Sequence, residues 1–189
     1  MTYEEDIKES LKNLKHGGII LYPTDTIWGL GCDATSEAAV NKIFQIKSRD
    51  EKKSLIILVD GLSMIDRYVE DCPEIVFELA EVSDAPLTII YPKGRYLAKG
   101  VCANDQSIAI RICHDEFCNE LIGRFRKPIV STSANFSGSP SPRNFNEIEK
   151  DLIDKADFVV TWRQNERSIN VASPVIKVNR DGTIKIIRK

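Results

Sequence analysis

Apolar positions along this chain change period several times, and each change marks an element. Ile7, Leu11 and Leu14 recur at helical spacing and predict a helix over residues 3–15, closed by the Gly17-Gly18 pair. "GIILYPT" is a short apolar run bounded by glycine and proline, the pattern of a strand buried on both faces. Ser36 reads as the N-cap of a helix through Lys47, with Val40, Ile43, Phe44 and Lys47 stepping by three and four. "SLIILV" is a second buried strand. Helical patterns follow over residues 62–68 and 73–82, then the strands "PLTIIYP" and "SIAIRIC", a helix over 115–126 and the strand "KPIVST". After the Pro/Ser-rich connection "SGSPSPRNF" come a helix over 146–155 and three strands, "DFVVTW", "SPVIKVN" and "TIKIIRK". Asp181-Gly182 between the last two is a hairpin signal. Strands that alternate with helices early and pair as a hairpin late predict an α/β fold with a mixed sheet and helices packed on it. No internal repeat or low-complexity tract interrupts it.

Length and composition sharpen this picture without changing it. With 189 residues, 42% hydrophobic and 29% charged, the chain suits one well-buried core, so a single domain over 1–189 is expected. No apolar stretch reaches the roughly 18 residues of a membrane span, and the charged opening "MTYEEDIKESLKNLKHGG" lacks the pattern of a secretory signal. A soluble, cytoplasmic protein is expected, with no membrane partner. Cys32, Cys72, Cys102, Cys113 and Cys118 are odd in number and irregular in spacing, which fits packed thiols better than a disulfide framework. Cys113, His114 and Cys118 form too small a set to predict a metal site. A net charge of -2 and a pI near 5.8 speak against coating nucleic acid by charge alone. Yet "KSRDEKKS" carries Lys47, Arg49, Lys52 and Lys53 against two acids, and "PKGRYLAKG" adds Lys93, Arg95 and Lys99 with none. Such runs are either solvated faces or the lining of a basic cleft.

Three stretches carry candidate chemistry. In "YPTDTIWGLGCDA" the spacing G-x-G-x-x-A suggests a dinucleotide site, but Thr24, Asp25 and Thr26 intervene after the strand and the helix begins only near Ser36, so the context is wrong. The glycines are expected to serve a sharp loop. The three polar residues lie beyond the end of a buried strand, where open α/β sheets place ligand-binding groups. Lys47 and Arg49, with Lys52 and Lys53, exceed what a helix C-terminus needs to balance its dipole, and their natural counter-ion is a phosphate or carboxylate. No P-loop is present to hold a phosphate by other means. In "PIVSTSANFSG", Ser131, Thr132, Ser133, Asn135 and Ser137 either satisfy a turn or bind a ligand. With no G-x-S-x-G elbow and no nearby histidine, none reads as an activated nucleophile.

"PTDTIWGLG", "KSR" and "STSANFSG", in this order and spacing, resemble the three signature segments of the YrdC/YciO-like family, over nearly the whole chain. The resemblance implies a twisted mixed α/β sheet around a large, positively charged cavity. It implies an enzyme, a nucleotidyltransferase that makes threonylcarbamoyl-AMP and pyrophosphate from L-threonine, bicarbonate or CO2, and ATP. The product would serve the threonylcarbamoyladenosine modification of tRNA. Carried over by motif, Lys47 and Arg49 are the catalytic cations, holding phosphate and carboxylate groups. Thr24 and Thr26, with Ser107 and Arg111 on a later strand, belong to the substrate. Ser131, Ser133 and Asn135, then Ser173 and Arg188, belong to the nucleotide. Mg2+ is expected with ATP; tRNA or double-stranded RNA and downstream threonylcarbamoyl-transfer proteins are the expected partners. The late segment "TWRQNERSINVASPVI" departs from the family, with charged residues in place of glycines and Pro174 in place of threonine. The alternative implied is a YciO-like member that binds RNA or nucleotide without synthase activity.

Overall fold

The computed structural model describes residues 1–47, 55–82 and 85–189. Arg49, Lys52 and Lys53, expected beside Lys47, lie outside the described residues.

The first helix, α1 (Tyr3–Lys15), starts where Thr2 and Glu5 cap each other: Glu5 N donates to Thr2 Oγ1 at 3.3 Å and Thr2 N to Glu5 Oε2 at 2.7 Å. Its buried stripe includes Ile7 and Leu14, and it ends as Gly17 takes a φ of +71°. The strand β1 (Ile20–Tyr22) is fully buried, and α2 (Glu37–Lys47) follows with Ser36 Oγ accepting from Ala39 N. Then come β3 (Ile56–Val59), α3 (Leu62–Tyr68), α4 (Glu74–Val82), β4 (Thr88–Tyr91) and β5 (Ile108–Ile112). The helix α5 (Glu116–Phe125), capped by Asp115, leads to β6 (Ile129–Ser133). The chain closes with α6 (Lys150–Ile153), β7 (Phe158–Val159) and the hairpin of β8 (Val175–Val178) and β9 (Ile184–Arg188).

Three expectations need correction. Gly29–Gly31 is not a loop but a strand, β2, antiparallel to β1 and to β6. Glycine ordinarily weakens a strand, but here its missing Cβ makes room. A Cβ on Gly31 would stand 2.6 Å from Tyr22 Cε1 and 2.8 Å from Val130 O, so the Tyr22 ring can lie across the sheet only over glycine. The helix expected over 146–155 is reduced to α6 and a 3-10 turn at Phe145–Glu147, because Ile148 and Glu149 are extended and Ile148 is drawn into the core. "DFVVTW" pairs only at β7, because Thr161 N and Trp162 N donate to the buried Asp6 carboxylate rather than to a strand.

Among the described residues, nine strands form one mixed, twisted sheet in the order β7-β1-β2-β6-β3-β5-β4-β8-β9. Its register positions the site, because directly paired residues project from the same face. Leu58, Arg111, Thr88, Val175 and Arg188 are aligned across β3, β5, β4, β8 and β9. Ile56 is aligned with Ser131, and Gly29 with Ser133. Val130, Ile57, Ile110 and Ile89 are aligned on the opposite, apolar face, and all four are buried. One face therefore gathers hydroxyls and guanidiniums where the other gathers isoleucine and valine.

Candidate functional site

A cavity of about 220 Å³ opens on the polar face, lined by residues that include Thr26, Gly29, Arg111, Ser131, Ser133, Ser173 and Arg188. Six of the residues assigned from the sequence to substrate or nucleotide thus converge from the loop after β1, from β5 and β6, and from the C-terminal hairpin and its approach. Trp28, Ser141 and Ala172 also line it and went unnoticed: Trp28 reads as core, and Ser141 and Ala172 lie in connections without a motif.

Arg111 is the centre of this wall. It is only 5% exposed, and its Nη2 faces Asp25 Oδ1 at 3.1 Å. The pair is close enough for charge attraction, yet Asp25 Oδ1 accepts no aligned hydrogen bond and Arg111 Nε donates none among the described residues. Thr24 Oγ1 and Ser173 Oγ each stand 3.4 Å from a guanidinium nitrogen. Contacts this long leave a buried cation under-satisfied, which normally costs about 1–3 kcal/mol per missing bond. Asp25 is an element the sequence reading placed in the polar cluster without a role; it also accepts from His114 N through Oδ2 at 3.2 Å. Thr88, aligned with Arg111, shares a hydrogen bond of 2.7 Å with Ser173 Oγ. Arg188 donates from Nε and Nη2 to Ser173 O at 3.0 and 2.7 Å, so the C-terminal strand holds the Ser173 wall.

Thr24 and Thr26 are buried and organise their own loop. Thr24 Oγ1 donates to Ile27 O at 2.8 Å and accepts from Thr26 N at 3.1 Å. This is the backbone-fixing bond pattern of a hydroxyl turn.

Lys47 ends α2 with its ammonium turned inward, 3% exposed. Nζ donates to Ser133 O at 2.5 Å, to Asn135 O, and to Asn135 Oδ1 at 3.2 Å. Asn135 Nδ2 in turn donates to Ser139 O at 2.6 Å. The loop after β6 is therefore wrapped on a buried cation, and Ser131 and Ser133 face the cavity beside it. Ser107 lies elsewhere. Its hydroxyl and N–H both engage Asp105 Oδ1, at 2.5 and 3.0 Å, at the far end of β5, roughly 13 Å along the strand from Arg111.

Burial pushes the thiol of Cys118 well above its ordinary pKa, and the group donates to Pro23 O at 3.3 Å. It acts as a packed hydrogen-bond donor beneath the Thr24 loop. No helix among the described residues is long and apolar enough to cross a membrane.

The family profile Sua5/yciO/yrdC, described as "Telomere recombination", matches residues 12–189. A protein of Psychromonas ingrahamii named threonylcarbamoyl-AMP synthase is 31% identical over 150 residues, 78% of each chain. Among solved structures, Sua5 of P. abyssi complexed with L-threonine aligns with a TM-score of 0.85 at 28% identity, covering 94% of this chain and 52% of that one. The chain thus spans about half the length of that protein. E. coli YciO, at 21% identity, shares the fold with a TM-score of 0.85 over 100% of this chain and 90% of its own. The three motifs, the nine-stranded sheet and these likenesses agree: the chain belongs to the Sua5/YciO/YrdC family.

Proposed function

We propose that this chain is an L-threonylcarbamoyladenylate synthase, a nucleotidyltransferase that joins L-threonine, bicarbonate or CO2, and ATP and releases pyrophosphate. The observation that carries the reading is the convergence of Thr26, Arg111, Ser131, Ser133, Ser173 and Arg188 on one cavity. Relatives named for the same product support it, as does a threonine complex of a family member.

The chemistry suits a site with cations and hydroxyls but no activated nucleophile. The deprotonated threonine amine adds to CO2, and its N–C bond forms as the lost proton passes to solvent. A carbamate oxygen then attacks the α-phosphorus, the bond to the bridging oxygen breaks, and pyrophosphate leaves with the electron pair. Two anions must be brought into contact, so the protein's contribution is charge and position. Arg111, held from behind by Asp25 and Thr24, serves the carboxylate end together with Thr26. Ser131 and Ser133 hydrogen-bond phosphate and carbamoyl oxygens, and Lys47 holds the end of their strand and the loop after it and adds its buried charge to the field. Arg49, two residues on in the sequence, is the second cation the motif assigns to the phosphates. Ser173 and Arg188 meet the nucleotide at the opposite wall. Mg2+ would neutralise the triphosphate; among the described residues the cavity lining carries hydroxyls and guanidiniums and no carboxylate, so phosphate oxygens would hold it. The product would pass to threonylcarbamoyl-transfer proteins acting on tRNA in the cytoplasm.

The test is to incubate the purified protein with ATP, Mg2+, labelled bicarbonate and L-threonine and to assay pyrophosphate and labelled adenylate. Threonine-dependent release of both is expected. ATP binding without threonine-dependent pyrophosphate would instead favour a YciO-like protein that binds nucleotide or RNA without turnover.

A further inference from the structure

The Thr24 hydroxyl fixes the internal turn of the loop that carries Thr24, Asp25 and Thr26, but the side of the loop away from Arg111 is held from other elements. Three successive residues are gripped from one side. Pro23 O accepts from Cys118 Sγ at 3.3 Å, Thr24 O from Arg163 Nη1 at 3.3 Å, and Asp25 Oδ2 from His114 N at 3.2 Å. Cys118 and His114 belong to α5 and the turn before it. Arg163 comes from the connection between β7 and β8, and it is tied to the same turn: Nη1 donates to Asp115 Oδ2 at 2.5 Å. Asp115 is the N-cap of α5, accepting from Cys118 N through its other oxygen at 3.0 Å. Glu166 Oε2 fixes the remaining edge of the guanidinium, 2.7 Å from Nε.

Arg163 holds this fork from a φ of +66°, in the left-handed region that favours glycine. The Arg163 side chain is only 22% exposed, and its guanidinium is shared among a carbonyl and two carboxylates.

We propose that Arg163 is a positioning residue: it fixes the Thr24–Thr26 wall of the cavity, and through it the orientation of Arg111 toward the amino-acid substrate. Thr24 supplies the link, because its carbonyl takes Arg163 while its hydroxyl meets Arg111. The statement about substrate rests on the synthase reading; the statement about the loop does not.

The test uses Arg163→Gly, which accepts the backbone conformation and removes only the side chain. KM for L-threonine is expected to rise about tenfold while KM for ATP stays within about twofold, because a displaced wall is felt at one end of the cavity. Amide hydrogen exchange at residues 24–27 is expected to accelerate about tenfold or more as local opening becomes easier. Arg163→Lys keeps a charge but cannot serve Asp115 and Glu166 from one fork, and is expected to give an intermediate threonine KM. Glu166→Gln keeps an acceptor for Nε and is expected to raise the threonine KM less than Arg163→Lys does, with the ATP KM unchanged. Unchanged exchange at 24–27, or equal rises in both KM values with a lowered Tm, overturns the proposal. If the wild-type protein shows no threonine-dependent turnover, the synthase reading fails by itself, and the exchange measurement still decides whether Arg163 holds the loop.

Discussion

Ser107 shows how a residue can match a motif position and yet be occupied by its own turn. Asp105 accepts from both the hydroxyl and the N–H of Ser107, and the hydroxyl above all holds the carboxyl to about 2, helped by the Ser107 N–H and by Lys177 against a smaller opposing effect of burial. A carboxylate depressed in the folded state contributes stability that is present above its ordinary value near 3.8 and is lost as pH falls through about 2. Asp105 is 58% exposed, so solvent screens most of that contribution. Ser107→Ala removes the hydroxyl and keeps the N–H. The Asp105 carboxyl should then titrate above 2 and below its ordinary value, as followed by NMR of its side-chain carbon; a titration still near 2 would show that the hydroxyl is not the main cause. Thr24, Thr26, Ser131 and Ser133 stood out in the sequence because each ends or flanks a buried strand, whereas Arg111, Ser173 and Arg188 were reached only through the family resemblance. Asp25 was visible as chemistry without a partner, since Arg111 lies 86 positions away and no local pattern couples them. Arg163 could not be found at all: its role depends on a left-handed backbone and on a helix cap 48 residues earlier.

Helices and buried strands were legible for the reason that their apolar periods are long. The ranges read from spacing for α1 and α3 coincide with those observed, β1, β3, β4, β5, β8 and β9 lie inside the runs read as strands, and β6 extends one residue past its run, to Ser133. The element that escaped, β2, is built from residues that argue against a strand in isolation. Gly29 and Gly31 are permitted there by tertiary contact, since Tyr22 and the β6 backbone occupy the space of their side chains. Two substitutions separate this cause from ordinary glycine flexibility. Gly31→Ala would force a methyl against the Tyr22 ring and Val130 O, and should destabilise by about 1–3 kcal/mol, the range for overpacking a filled core. Gly123→Ala, inside α5 on an exposed face with only Asp60 Oδ2 near, at 4.0 Å, should stabilise by about 0.5–1 kcal/mol through helix propensity. Urea denaturation of both variants checks the pair. Equal shifts of one sign would mean that the close approach over β2 does not govern the first.

At the scale of the whole molecule, the site depends on Lys47 joining parts of the chain that are remote in sequence. Residues before β3 supply α2, and residues after α5 supply β6 and its loop; Lys47 reaches from the first to Ser133 and Asn135 in the second. Ser137 N, donating to Lys47 O at 3.3 Å, closes the same junction through the backbone. From sequence, Lys47 reads as a cation waiting for phosphate. Its burial and its carbonyl partners also make it a holder of the end of β6 and the loop that follows, beside Ser131 and Ser133, so charge and architecture are carried by one side chain. Lys47→Ala should therefore do two things that a surface phosphate clamp would not do together. It should lower the free energy of unfolding by about 1.5–3 kcal/mol, the range for hydrogen bonds to a charged group, and it should abolish most threonine-dependent pyrophosphate release. Lys47→Arg keeps the charge, but its planar fork cannot replace an ammonium that donates to Ser133 O, Asn135 O and Asn135 Oδ1 from a single point. It should recover stability only in part and activity less. Denaturation curves and pyrophosphate assays on the same preparations decide this. If Lys47→Ala keeps wild-type stability while losing activity, the lysine serves the ligand alone, and the loop after β6 stands without it.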